Sequence, residues 1–283
     1  GIYAISAIGL NIHFGWTGLI NFGHAAFMGV GAYTTILLIP HAAGREGSIN
    51  EEGLPLFLAI IIGLSASAIF GLIIGLPAIR LRGDYLAIVT IASSEIFRLL
   101  VRDQESLTGG VYGVISFSEA FQDMRPQFLE NLSVSLDVSV GQLWVASFSW
   151  IMVILLVFVL KRLQNSPWGR ALRAVREDED AVRALGKNAT WLKLQSFMLG
   201  ASIAGLSGIL LAFNYGTLQV EMFVPLLTFY IWAIMILGGV GSISGPIFGS
   251  VLFRAVISET DQFASLSLGN ADGQQIAGVR CLW

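Results

Sequence analysis

The chain has 283 residues, of which 55% are hydrophobic and only 12% charged, about half the charged share of a typical soluble domain. So few charges cannot cover the surface of a soluble globule of this size, whereas a bilayer requires no such cover, and the chain reads as a polytopic membrane protein. The net charge of −3 gives no sign of nucleic-acid binding, the single cysteine (Cys281) excludes an internal disulfide framework and a cysteine-based metal site, and His13, His24 and His41 are too scattered to form a metal cluster.

A spanning helix needs about 20 apolar residues. Gly1 to Gly44 contains no Asp, Glu, Lys or Arg. It has room for one helix, a polar and glycine-containing break at Asn11–Gly23, and a second helix from about His24 to Pro40. His41 and the stretch from Arg45 to Glu52 read as an external loop. Pro55 to Ile79 is an uncharged run of 25 residues, and Asp84 to Val101 is apolar except for Glu95 and Arg98. Val138 to Leu160 and Leu194 to Val220 give uncharged runs of 23 and 27 residues. Met222 to Phe253 is interrupted at Gly238-Gly239-Val240-Gly241-Ser242-Ile243-Ser244-Gly245-Pro246, so it reads as two shorter helices. The runs lack the alternation of barrel strands, and only helices or closed barrels satisfy the backbone in lipid. The expected fold class is therefore an all-α polytopic membrane protein with about eight transmembrane or broken helices. Gly1 lies inside an apolar run, and apolar residues resume at Cys281-Leu282-Trp283, so the chain is expected to be one transmembrane domain, 1–283, truncated at both ends.

Basic residues set the orientation. Segment 161–193 carries Lys161, Arg162, Arg170, Arg173, Arg176, Arg183, Lys187 and Lys193, half of the chain's 16 basic residues, and nets +4. Segment 103–140 carries six acids against Arg125 alone and nets −5. Residues 163–190 are expected to be cytoplasmic and 103–137 external, with one helix between them; Arg80 and Arg82 then fall inside. Ser166-Pro167 opens the basic segment as a helix N-cap with proline at the first helical position, and Gly186 is a natural stop. Trp168, Leu172, Val175, Val182 and Leu185 share one face. The run Glu177 to Asp180 predicts a bend into two short helices. The segment is either a solvated, positive-inside loop or a docking arm whose apolar face enters a cleft on a motor subunit.

Thirty-two glycines in a membrane bundle predict close helix crossings, with Gly23, Gly29, Gly31, Gly200, Gly205 and Gly208 at packing intervals. Gly23, Gly239, Gly241 and Gly245 mark the two breaks, which either serve packing alone or line a substrate path as halves of an internal repeat. Glu95 lies about 16 Å along its helix from Asp84, near the membrane midplane. Arg98, one turn on, can pair with it as a structural ion pair or as a lining of the path. Asn21 reads as an N-cap for a helix beginning near Phe22 or as a path residue, His24 as an interhelical hydrogen-bond partner or a ligand group, and Thr108 as a turn residue or an external contact.

Three ordered stretches carry a resemblance: Thr17 to Tyr33; Asp84-Tyr85-Leu86-Ala87-Ile88-Val89-Thr90 with Glu95-Ile96 and Thr108-Gly109-Gly110; and Ser166-Pro167-Trp168-Gly169-Arg170-Ala171 through Gly186 to the 238–246 glycine segment. In order and spacing this set resembles the permease of high-affinity branched-chain amino-acid ABC transporters, the LivM type. Asp180-Ala181, with Gly186 following, loosely resembles the Glu-Ala-Ala-x-x-x-Gly signature of ABC importer permeases; the Ile-x-Leu-Pro tail of that signature is missing here. The resemblance implies an inverted-repeat importer fold in a bacterial or archaeal plasma membrane, and a transport subunit instead of an enzyme. It also implies two ATP-binding subunits, a second related permease and a soluble substrate-binding protein. No cofactor is expected, and the chain has no phosphate-binding G-x-x-x-x-G-K-[ST] loop of its own. Rival readings are a urea or short-amide permease of the same family, an ATP-independent channel or carrier, and an intramembrane enzyme, for which no constellation is visible.

Overall fold

The computed structural model describes residues 1–39, 54–79, 81, 83–110, 112–115, 117, 119–122, 125, 126, 129 and 139–268. The expected external loop at His41 and Arg45 to Glu52, the basic pair Arg80 and Arg82, most of 123–138, and Cys281 lie outside the described residues.

The described chain is mostly helical. Helix α1 (Ile2–Asn11) continues into a π-helical turn (Ile12–Trp16), and α2 (His24–Leu38) follows after an irregular stretch. Then come α3 (Leu56–Ala78), α4 (Asp84–Asp103), the short α5 (Glu105–Thr108) and α6 (Glu119–Gln122), and α7 (Val140–Asn165). The basic segment forms α8 (Pro167–Glu177) and α9 (Glu179–Ala184). Helix α10 (Ala189–Tyr215), a 3₁₀ turn (Val220–Phe223), α11 (Pro225–Gly238) and α12 (Gly245–Leu268) complete it. Against the all-helical expectation stands one two-residue antiparallel pair, β1 (Val114–Ile115) with β2 (Thr217–Leu218).

Three of these helices, α3, α7 and α10, are long and apolar enough to cross a membrane, and α2, α11 and the first part of α12 are shorter apolar helices. Helix α10 occupies the centre and packs on α1, α2 and α3. Its polar start is capped by Asn188, whose Oδ1 accepts from the Trp191 N–H at 3.0 Å, and its end is closed by Gly216 in the left-handed region. By contrast, α3 and α7 turn apolar side chains outward, among them Phe57, Ile69, Ile73, Ile154 and Phe158. Such a rim fits a hydrocarbon solvent, where exposed apolar surface costs nothing.

The expected glycine contacts are present. A Cβ on Gly31 would strike the backbone of Gly205, so α2 and α10 cross with no side chain between them. Close crossing of this kind lets dispersion act over long stretches of backbone where lipid supplies no hydrophobic drive.

Candidate functional site

The first expected break is real and has a defined form. After Asn11 the α1 ladder widens into the π-helical turn, a geometry that is frequent at functional sites. Widening frees carbonyl groups, and in a membrane interior each needs a partner. Ser196 donates to Ile12 O (3.1 Å), Thr17 donates to His13 O (2.6 Å), and Arg176 donates through Nη1 to Gly15 O (2.6 Å). Two other helices, α10 and the distant α8, therefore supply caps for this one turn.

His13 sits at the centre of the break, fully buried. Its Nε2–H donates to Phe197 O (2.9 Å), which assigns the tautomer, and its Nδ1 accepts from Asn21 Nδ2 (3.0 Å). The ring stacks on Phe197 with centroids 4.6 Å apart. Asn21 Oδ1 accepts from the Gly23 N–H (2.9 Å), and Asn21 O accepts from Trp232 Nε1 on α11 (2.9 Å). His24 Nε2–H donates to Ser6 O on α1 (3.0 Å). Asn21 and His24 thus belong to a buried polar hub that ties α1, α2, α10 and α11 together. Asn21 is not the N-cap expected of it: α2 starts at His24 with Gly23 in the cap position, and the Asn21 side chain folds back on Gly23 instead. Gly23 is needed for another reason, since a Cβ there would meet Thr90 O of α4.

The second break runs from the end of α11 at Gly238 to the start of α12 at Gly245. Gly239 and Gly241 have φ of 97° and 83°, in the region that favours glycine. Gly245 packs its backbone on that of Gly238, and its N–H donates to Ser242 Oγ (3.0 Å). The two breaks meet. Asn11 Nδ2 donates to Ser242 O (2.7 Å), Asn11 Oδ1 accepts from the Gly241 N–H (2.8 Å), and Gly15 lies so close that a Cβ would strike Gly241.

The basic arm at 166–186 begins as expected. Ser166 Oγ accepts from the Gly169 N–H (3.3 Å), and Pro167 takes the first helical position. Asp178 ends α8 and caps α9, accepting from Asp180 and Ala181 (2.9 and 3.0 Å), so the arm bends at the acidic run. Gly186 stops α9 with φ of 74°. One expectation is overturned. Leu172, Val175 and Val182 do not offer an apolar face to another subunit; they are buried against their own bundle. Leu172 packs in a cluster with Ile12 and Trp16, and Trp168 donates through Nε1 to Gln195 Oε1 on α10 (2.8 Å). The bundle itself fills the stripe because α10 runs alongside it. Of the residues expected to couple to a motor subunit, Asp180, Ala181, Leu185 and Gly186 are exposed. Beside them a polar cleft of about 530 Å³ opens between α9, the first break and the α3–α4 turn. Glu179 lines it, held by Arg183 (2.7 Å) and by Lys193 of α10.

The remaining candidates divide. Glu95 and Arg98 form the expected pair, with Arg98 Nε 3.0 Å from Glu95 Oε1, and Arg98 also reaches Glu221 of the 3₁₀ turn (3.0 Å). This group is separate from the Asn21–His24 hub. Thr108 takes the turn alternative: it is buried, and its hydroxyl donates to Val101 O and Gln104 O (2.6 and 2.9 Å). Sequence reading missed Asn11 and His13 as site residues, and also Arg176, Trp232 and Glu221. For Asn11 and His13 a signal existed, since polar groups inside an uncharged membrane run are costly unless partnered.

A family model described as the branched-chain amino acid transport system / permease component matches residues 1–273. The chain belongs to this permease family. It is 34% identical to the high-affinity branched-chain amino acid transport system permease protein LivM of Salmonella typhimurium over 282 residues, covering 95% of this chain and 64% of that protein. Identity to LivM of Escherichia coli is also 34%, over 283 residues with the same coverage. It is 27% identical to LivH of Salmonella typhimurium over 254 residues, covering 88% of this chain and 79% of LivH. The chain thus spans just under two thirds of the length of these LivM proteins. No solved structure matches it. Within the permease family member described here, the glycine stretches that carried the resemblance are the two interlocked breaks and the segment packed on α10.

Proposed function

We propose that the chain is the membrane-spanning permease of an ABC importer that moves branched-chain amino acids inward across a bacterial or archaeal plasma membrane. The observation that carries this reading is the linkage from arm to breaks: Arg176, on the arm, caps Gly15, and Asn11 fastens that same turn to Gly241 and Ser242. A force applied to the arm reaches both broken helices through three hydrogen bonds. Broken helices line substrate paths in transporters, so displacement of the arm opens or closes the path. ATP hydrolysis belongs to two separate ATP-binding subunits that push on the arm. The similarity to both LivM and LivH favours a second related permease beside this one, fed from outside by a soluble substrate-binding protein. Residues 1–283 act as one permease domain with about eight transmembrane or broken helices, whose two breaks are the corresponding points of an inverted repeat.

The test is ATP-dependent uptake into vesicles holding the chain with its ATPase subunits, second permease and binding protein. Labelled leucine is expected to accumulate only with ATP inside. Accumulation of urea or acetamide in place of leucine would move the chain to the amide branch, and leucine equilibration without ATP would make it a passive carrier.

In this reading 163–190 face the cytoplasm and 103–137 the outside. In a Cys281→Ser background, Tyr112→Cys should react with an impermeant maleimide in intact cells, since Tyr112 is 89% exposed. Lys187→Cys should react only after the membrane is opened. Labelling of Lys187→Cys from outside would invert the topology.

A further inference from the structure

We propose that Glu95, Arg98 and Glu221, together with Tyr33, form a subsite for a primary ammonium group on the substrate path. The inference deepens the transport reading and rests on it, because it specifies which end of an amino acid the permease holds. Helix α4 puts Arg98 about 21 Å along from its Asp84 start. Glu221 arrives from the 3₁₀ turn between α10 and α11. Arg98 Nε donates to both Glu95 oxygens (3.0 and 3.1 Å), and Nη1 donates to both Glu221 oxygens (3.0 and 3.1 Å).

The charge of this group decides what it binds. Two carboxylates outweigh one guanidinium, leaving the group a net −1. Arg102, one turn further, belongs to the last turn of α4, where it complements the helix dipole. Arg98 is therefore a poor receptor for a substrate carboxylate, since both its neighbours already compete for it. The carboxylates keep free acceptor sites: the Glu95 side chain is 40% exposed and that of Glu221 50%.

A second observation points to the same place. The Tyr33 hydroxyl of α2 has no hydrogen-bond partner although the residue is only 4% exposed. Its ring lies 6.3 Å from that of Phe223, two residues beyond Glu221, and it interacts electrostatically with the Glu221 carboxylate. A buried hydroxyl without a partner is destabilising until something meets it. An ammonium group has three N–H donors; Glu95, Glu221 and Tyr33 offer three acceptor groups, two carboxylates and one hydroxyl. A zwitterionic amino acid carries this group, whereas urea and simple amides are neutral and gain nothing from a net negative site.

The test measures equilibrium binding of labelled leucine to the assembled transporter, purified without binding protein, with transport in vesicles run in parallel. Leucinol keeps the ammonium and lacks the carboxylate; 4-methylpentanoate is the reverse. Leucinol is expected to displace leucine and 4-methylpentanoate to leave it bound. Glu221→Gln is expected to weaken leucine binding at least about tenfold, the size of a lost charged hydrogen bond. Glu221→Asp should restore part of that loss, and Tyr33→Phe, which keeps the ring packing, should weaken binding less than Glu221→Gln. Better displacement by 4-methylpentanoate than by leucinol overturns the subsite. So does unchanged binding in Glu221→Gln, or a wild-type complex that carries leucine in vesicles and binds none. If Glu221→Gln instead lowers recovery of the second permease while each assembled complex binds leucine normally, the carboxylate pairs with a cation across the subunit boundary and the proposal fails. A wild-type complex that carries urea and no leucine overturns the transport reading itself, separately from these outcomes.

Discussion

Leu185→Glu is expected to abolish stimulation of the ATPase subunits while the permease still inserts and folds. Leu185 ends the arm with 80% of its surface exposed, whereas Leu172, Val175 and Val182 on the same stripe are buried inside the chain. It is therefore the one large apolar side chain that the arm itself can offer to a partner, flanked by the exposed Ala181 and Gly186. Burying a leucine contributes about 1.5–3 kcal/mol, and a carboxylate in the same cleft loses that and adds a desolvation cost. A loss of at least about tenfold in ATPase affinity follows. Gly186→Pro should act in the same direction for a backbone reason. The residue has φ of 74°, which proline cannot adopt, and its N–H, which proline lacks, donates to Arg183 O (2.9 Å). Arg173→Ala removes only a 3.3 Å contact to Gln164 O on an exposed face and should cost much less. Co-purification and binding-protein-stimulated hydrolysis in reconstituted vesicles provide the measurement. Full stimulation in both Leu185→Glu and Gly186→Pro would return the arm to an ordinary positive-inside loop.

Asn11→Leu should destabilise the protein by about 2–6 kcal/mol and eliminate transport, because it severs the two breaks from each other. The change removes one donor and one acceptor, leaving Ser242 O and the Gly241 N–H without their present partner at a part-buried contact. Each such group costs about 1–3 kcal/mol. Leucine cannot relax outward, because Gly15 and Gly241 leave no space between the breaks. Asn11→Asp keeps an acceptor for Gly241 but sets a carboxylate against Ser242 O, so it should recover little. Ser242→Ala, which loses the cap on Gly245 and a 3.4 Å contact to Ser244 Oγ but keeps the backbone carbonyl that Asn11 uses, is the mild control. Thermal unfolding of the purified protein, read beside leucine uptake per folded molecule, separates the two effects. Wild-type stability and uptake in Asn11→Leu would mean that the breaks act independently.

Much of this architecture was legible because it follows from local chemistry. Uncharged runs longer than a bilayer crossing can only be helices in lipid, so α3, α7 and α10 follow from composition and length. The two breaks were readable from glycine, asparagine and proline, whose backbone preferences act within a few residues. The arm announced its start at Ser166-Pro167, its bend at the acidic run and its stop at Gly186, again through local rules. Glu95 and Arg98 were one helical turn apart, and a helix brings such residues together regardless of what surrounds it.

Tertiary structure decided what each of these pieces faces. The apolar stripe of the arm had no label for its partner, and burial by its own bundle came from α10 lying alongside, a contact between residues distant in sequence. Asn21 carried the composition of an N-cap, but His13 and Gly23 competed for its amide and won. Glu221 lies more than 120 positions from Arg98 in sequence, so no pattern in the chain could pair them. Hydropathy and capping are properties of short windows, whereas the meeting of Asn11 with Gly241, or of Arg176 with Gly15, depends on how whole helices cross. The amino-acid sequence by itself therefore determined which segments are helices, where they break and which arm emerges. Only their packing decided which polar groups meet.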